Sequence, residues 1–157
     1  YAFLYGAGPA KIGKVVGGDA KQGQILVNRF LTNMPALKSL RNKVQEAGEQ
    51  GYIKGLDGRV FQVRSPHSAL NTLLQGAGAI VCKQWLVSMI SMIRDSGIDA
   101  KLVASIHDEY QFEVKSTDVS KFGQITKEAM TRTEKELDIH CQLDSEWKQG
   151  LTWAETH

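Results

Sequence analysis

Cysteine is scarce in this chain, with two residues in 157, Cys82 and Cys141. They form no CxxC pair and no Cys/His spacing suited to a metal, so a cysteine-built metal site is excluded. Cys82 lies in an apolar run and reads as a small buried hydrophobe. Nothing calls for an oxidising compartment. An excess of one charge is lacking too: 19 Lys and Arg stand against 17 Asp and Glu, a net charge of +2. Bulk charge therefore singles out no partner. There is no signal peptide and no uninterrupted apolar segment long enough to span a bilayer, so no membrane role is expected. Internal repeats and low-complexity linkers are also missing. The sequence opens on Tyr1 without an initiator Met, in what reads as the middle of a helix. We take it as a piece of something longer.

What is present is unevenly arranged. Residues 1–64 hold ten Lys and Arg and four Asp and Glu, whereas residues 65–157 hold nine and thirteen. A basic part beside an acidic one fits a polyanion-binding surface next to a cation-handling one, or unselected surface charge.

Helical signals fill the first part. Tyr1 and Tyr5 share a face of any helix, and Gly6 and Gly8 end it. Pro9 starts a short helix to about Val16, which Gly17-Gly18 closes. Asp19 caps the next helix, whose Ile25, Leu26, Phe30 and Leu31 share an apolar side until Met34-Pro35 breaks it. Leu37, Leu40, Val44 and Ala47 mark another amphipathic helix. Two short strands, 52–54 and 60–63, flank Asp57-Gly58 and predict a hairpin. Ser65-Pro66 then opens a long helix to about Asp95, which Ser96-Gly97 stops.

The stretch Leu102 to Val114, LVASIHDEYQFEV, predicts two antiparallel strands with an acidic pair at the bend. Tyr110, Phe112 and Val114 alternate with Gln111, Glu113 and Lys115, the period of a half-buried strand. Leu102 to Ile106 alternates little and suits a strand covered on both faces. A helix over 117–137 and a last strand over His140 to Trp147 complete the expectation. The class is α+β: helices first, then a long helix with an antiparallel sheet.

Three groups of residues are candidates for chemistry. Gly8 to Val15, GPAKIGKV, imitates a phosphate-binding loop as far as Lys14. Val15 stands where Ser or Thr would hold Mg²⁺, and no strand precedes it, so that reading fails. His107-Asp108-Glu109 is the second group. Carboxylates at a sheet bend suit Mg²⁺, which takes one or two protein carboxylates plus substrate phosphates and water; turns also favour polar residues for their own sake. In the third group, His67, Asn71 and Gln75 fall at i, i+4 and i+8. Such a stripe is either a solvated face or a row of hydrogen-bonding groups for the minor groove of DNA, whose acceptors are nearly the same for every base pair.

Taken together, these motifs resemble family A (Pol I-like) DNA polymerases, most closely the phage replicative branch. YAFLYGAG resembles the end of the fingers helix that closes on the incoming nucleotide. GLDGR with RSPHSALNTLLQGAGAIVCK resembles the family's hairpin and following helix. VASIHDE resembles the palm's motif C, and WAETH the family's usual end in His. The resemblance implies the C-terminal part of the fingers over residues 1–66 and of the palm over 67–157. It implies Asp108 as a catalytic metal ligand, Glu109 beside it and His107 supporting the turn. It further implies Tyr1 and Tyr5 at the nucleotide, His67, Asn71 and Gln75 on the primer-template minor groove, and His157 near the centre. Mg²⁺, primer-template DNA and dNTPs are the implied cofactor and partners, in a host cytoplasm if the source is a phage.

Departures from the family pattern shape the expectation. Position 2 is Ala where many relatives carry Gly. The Lys and Arg that precede the Tyr1 position, and motif A with its metal-binding Asp, are absent; Asp144-Ser145-Glu146 lacks the motif A pattern. An N-terminal remainder carrying motif A is therefore expected as partner, and the chain alone is expected not to polymerise. The rival class is a non-catalytic nucleic-acid-binding module with its basic first part as the footprint. A metal-dependent nuclease would need a second carboxylate cluster, which the sequence lacks.

Overall fold

A computed structural model describes residues 2–156, so Tyr1 and His157 lie outside the described residues. The elements in order are α1 (Pro9–Val15), α2 (Ala20–Asn33), α3 (Pro35–Gly48), β1 (Tyr52–Lys54), β2 (Val60–Gln62), α4 (Ala69–Ser96), β3 (Ala100–Ile106), β4 (Glu109–Val114) and α5 (Val119–Glu136). Single 3₁₀ turns precede α4 at Pro66–Ser68 and α5 at Ser116–Asp118. Each sheet has two antiparallel strands, β1 with β2 and β3 with β4. The α+β class expected from the sequence is what the chain forms. It divides into two compact units at Ala77/Gly78, within α4.

In the first unit the boundaries follow local chemistry. Residues 2–7 make the closing bonds of a helix end: Gly6 N–H donates to Phe3 O at 3.0 Å and Ala7 N–H to Ala2 O at 2.9 Å, with Gly6 left-handed at φ +83°. Gln22 N–H donates to the Asp19 Oδ1 cap of α2 at 2.8 Å. Ser65 and Ser68 form a reciprocal capping box around Pro66.

Of the four residues expected on the apolar side of α2, only Leu31 is buried. Gly23, Val27 and Leu31 are buried, whereas Ile25, Leu26 and Phe30 are exposed. A Cβ on Gly23 would lie 1.9 Å from Pro9 O, so the backbones of α1 and α2 meet through a missing side chain. A core of Val44, Ile53, Val63 and Ala69 joins α3, the β1–β2 hairpin and the start of α4. There Phe61 packs over Gly76, where a Cβ would come within 2.6 Å of the ring.

The core of the second unit is Trp85, Met89 and Ile93 of α4 against Ile125, Ala129 and Met130 of α5. Tyr110 and Phe112 of β4 pack onto it, with ring centroids 5.5 Å from Trp85 and 4.9 Å from Phe122 respectively. Tyr110 and Phe112 form the core-packed face of β4, while Glu109 and Gln111 on the other face are half-buried too. Polar bonds between α4 and α5 add register: Trp85 Nε1 donates to Thr126 O at 2.9 Å within the core, and Gln84 Nε2 to Glu136 Oε2 at 2.5 Å where the helices are exposed.

Two expectations fail in this unit. β3 is not covered on both faces, because Leu102 and Val103 are exposed and Val103 is bulged out of register between Leu102↔Phe112 and Ala104↔Gln111. His140 to Trp147 forms no strand. It runs irregularly along α5, where Glu134 Oε2 accepts from Leu143 N–H at 2.9 Å and Lys127 Nζ lies 3.7 Å from Asp144 Oδ1. By length and composition alone Pro66–Ser96 is apolar enough to cross a membrane, although Lys83 interrupts its apolar run. Its apolar content has another use here, since Ala69, Leu70, Ile80, Trp85, Met89 and Ile93 are all buried within the protein.

Candidate active-site turn and helix stripe

The acidic step sits at the tip of the β3–β4 hairpin. Ile106 pairs with Glu109, which leaves His107 and Asp108 as a two-residue loop. Right-handed strand twist favours a left-handed first residue in such a loop, and His107 takes that role at φ +54°. Histidine adopts this region more readily than branched residues do. The consequence is that Asp108 stands exposed at the tip, and among the described residues no hydrogen bond or ion pair engages its carboxylate. Glu109 is half-buried at the first position of β4 and accepts from Gln111 Nε2 through Oε1.

Beneath the turn lies α4. Burial, and after it the charge of Asp108, holds the Cys82 thiol above its ordinary pKa. Burial, and after it Cys82, does the same to the Tyr110 phenol. Both groups therefore stay protonated at neutral pH and add no charge to the site. Sequence reasoning missed Cys82 as a neighbour of Asp108; its setting, an apolar helical run, offers no signal of a carboxylate 26 positions later in the chain.

The stripe belongs to the first unit. His67 is exposed in the 3₁₀ turn before α4, one turn type removed from the helix on which Asn71 and Gln75 lie. Gln75 is exposed, while Asn71 is half-buried and its Oδ1 is buried without a hydrogen-bond partner among the described residues. A buried acceptor left open in this way carries a cost and asks for an explanation. Tyr5 is exposed in the turn over residues 2–6, which Phe3 ties down through the Phe30 ring at 5.7 Å and the Arg41 guanidinium at 5.6 Å. Tyr1 and His157, the remaining expected site residues, lie outside the described residues. The GPAKIGKV stretch is largely the helix α1, with no strand before it among the described residues.

The class of protein to which this turn and fold belong is fixed by comparison. The profile of DNA polymerase family A matches residues 1–155, and the chain belongs to that family. It is 41% identical to a DNA-directed DNA polymerase of Enterobacteria phage T3 and 40% identical to one of Escherichia phage T7. Each alignment covers 100% of this chain and 25% of the relative, so the chain spans about a quarter of those proteins' length. The fold is shared with the POL domain of Pol1 from M. smegmatis, solved in complex with DNA primer-template and dNTP. That similarity has a TM-score of 0.76 at 18% identity, over 85% of this chain and 26% of the other.

Proposed function

We propose that this chain is the C-terminal fingers and palm portion of a DNA-directed DNA polymerase, with Asp108 as a metal ligand for nucleotidyl transfer. The observation that carries the reading is the loop itself, in a chain of this family. A left-handed His107 lifts Asp108 to the tip, and its carboxylate is engaged by nothing among the described residues. The donor set fits Mg²⁺, which binds through one or two carboxylates and leaves its other positions to phosphates and water. Among the described residues no group of three His, Cys, Asp or Glu side chains could hold a metal ion, so substrate phosphates and water would have to complete the coordination.

Asp108 would hold the ion, with Glu109 adjacent, and when bound the ion would supply positive charge to neutralise the phosphates. His107 fixes the direction of the aspartate. The sequence lacks motif A with its metal-binding Asp, so a second aspartate would come from an N-terminal remainder carrying motif A. His67, Asn71 and Gln75 would donate to the acceptors of the primer-template minor groove, which are nearly the same for every base pair. Tyr5, and Tyr1 by its position in the sequence, would face the incoming dNTP. The phage relatives support a place in the host cytoplasm. A non-catalytic binding module would require neither the exposed aspartate nor the left-handed histidine.

The test is primer extension with Mg²⁺ after the chain is mixed with an N-terminal polymerase half containing motif A. Extension by the mixture, and by neither half alone, supports the proposal. Robust extension by residues 1–157 alone would show that a second carboxylate is recruited within the chain and would overturn the split of ligands.

A further inference from the structure

The irregular segment after α5 is held by Leu143, packed on the core of the second unit, by the buried Ser145 and by Trp147. Gly123 is buried in α5, and a Cβ there would lie 2.3 Å from Cε2 and 2.5 Å from Cζ2 of Trp147. The indole therefore lies directly on bare helix backbone. Weaker ties precede it, the Leu143 N–H to Glu134 and the Lys127–Asp144 pair. Beyond it the chain leaves α5, and residues 149–153 with Thr156 wall a cavity of about 770 Å³. The opposite wall is β4, including Glu109, Gln111 and Phe112. Closely spaced bonds then fold the segment on itself: Leu151 N–H donates to Glu155 Oε2 at 2.5 Å and Thr156 N–H to Trp153 O at 3.0 Å.

We propose that Trp147 seated on Gly123 is the latch that holds residues 149–156 across the cavity from β4 and Glu109, which makes Trp147 a positioning residue for the acidic turn. Trp147 keeps 41% of its surface exposed, so core burial does not account for its fixed seat. A glycine in the interior of an 18-residue helix is otherwise a cost, and here its missing side chain is what admits the ring. The catalytic consequence rests on the metal-binding reading of Asp108; the latch itself does not.

The two claims separate by experiment. Hydrogen exchange of the Leu151, Glu155 and Thr156 amides in the 1–157 chain reads the latch. Gly123→Ala, although the better helix former, should speed their exchange about tenfold through local opening. Trp147→Ala should do the same, and the double variant should be no worse than either single, the signature of one shared contact. Slower or unchanged exchange in Gly123→Ala, or additive effects in the double variant, would overturn the latch. The second readout is the Mg²⁺ concentration for half-maximal extension in the reconstituted polymerase. It should rise about tenfold in both single variants, the lower end of what losing support around a metal ligand costs, and return towards wild type in Trp147→Phe. Faster exchange with an unchanged Mg²⁺ requirement would reduce Trp147 to a structural contact and overturn its positioning role. Absence of extension by every reconstituted form, wild type included, would instead sink the reading of Asp108 and leave the exchange result standing.

Discussion

Both hairpins place an aspartate in the turn, and the two aspartates end in opposite situations. In β1–β2, Gly58 supplies the left-handed residue at φ +81°, and the turn consumes its own carboxylate. Asp57 accepts from Arg59 N–H at 3.2 Å and Arg59 Nε at 2.8 Å, with Arg59 Nη2 at 2.6 Å. The side-chain hydrogen bond from Arg59 holds the Asp57 carboxyl below its ordinary pKa. In β3–β4 a histidine takes the left-handed position and Asp108 is left with no partner among the described residues. A turn built only to reverse the chain satisfies its polar groups locally. The second hairpin leaves its exposed carboxylate to solvent, where a ligand can reach it.

The largest expected effect breaks the comparison directly. Asp108→Asn keeps the shape of the loop and removes its charge, so Mg²⁺-dependent extension by the reconstituted polymerase should fall by orders of magnitude, at about 1.4 kcal/mol of barrier per tenfold. Asp57→Asn, the same change in the other hairpin, should leave extension within about twofold, the small effect expected of a surface substitution. Equal losses from both would mean that neither turn is special.

Next in size is a change to packing. Gly76→Ala adds a methyl where Phe61 already sits at 2.6 Å, and should destabilise the first unit by about 1–3 kcal/mol despite alanine's helix preference. Urea unfolding of wild type and variant measures this. A gain in stability would show that the hairpin yields freely and is not fixed on α4.

How much of this was legible beforehand depends on which group carried the signal. Asp19, Ser65-Pro66 and Gly97 announce helix ends through backbone chemistry that acts within three or four residues, and each element ends where they place it. The acidic turn was legible because strand alternation and a two-residue gap are both local. Contacts made through glycine were not. The buried side of α2 is organised by Gly23, which contributes nothing to an apolar pattern, so Ile25, Leu26 and Phe30 seemed the natural stripe. The same holds for 140–147, which reads as a last strand and contains Leu143 and Trp147. Their actual surface is α5, entered at Gly123. Asn71 was legible as polar, but not as the member of its stripe with a buried, open oxygen, because burial depends on residues far away in the sequence.

A smaller effect sharpens the stripe. Joint replacement of His67, Asn71 and Gln75 by Ala should change extension from matched and mismatched primer ends by different factors, without creating a sequence preference. If the three only face water, extension should be unchanged and stability should shift by no more than about 0.5 kcal/mol.

The smallest effect is the pH response of the satisfied turn. The folded pKa of Asp57 lies below its unfolded value of about 3.9. Its contribution is therefore complete above that value and is lost as pH falls through the folded pKa. The same sign holds for Glu136, lowered first by its hydrogen bond from Arg132 and next by Gln84. Unfolding followed from pH 6 down to pH 2 should show a slightly shallower acid loss in Asp57→Asn than in wild type. An unchanged slope would show that the exposed fork with Arg59 contributes nothing measurable.

The most direct measurement is anomalous scattering from Mn²⁺ soaked in place of Mg²⁺ into crystals of the assembled polymerase with primer-template DNA and a nucleotide. The account predicts a peak at about 2.1–2.3 Å from an Asp108 carboxylate oxygen, close to the Mg²⁺–oxygen distance, and its loss in Asp108→Asn. A metal peak bound elsewhere, with Asp108 still facing water, would contradict it.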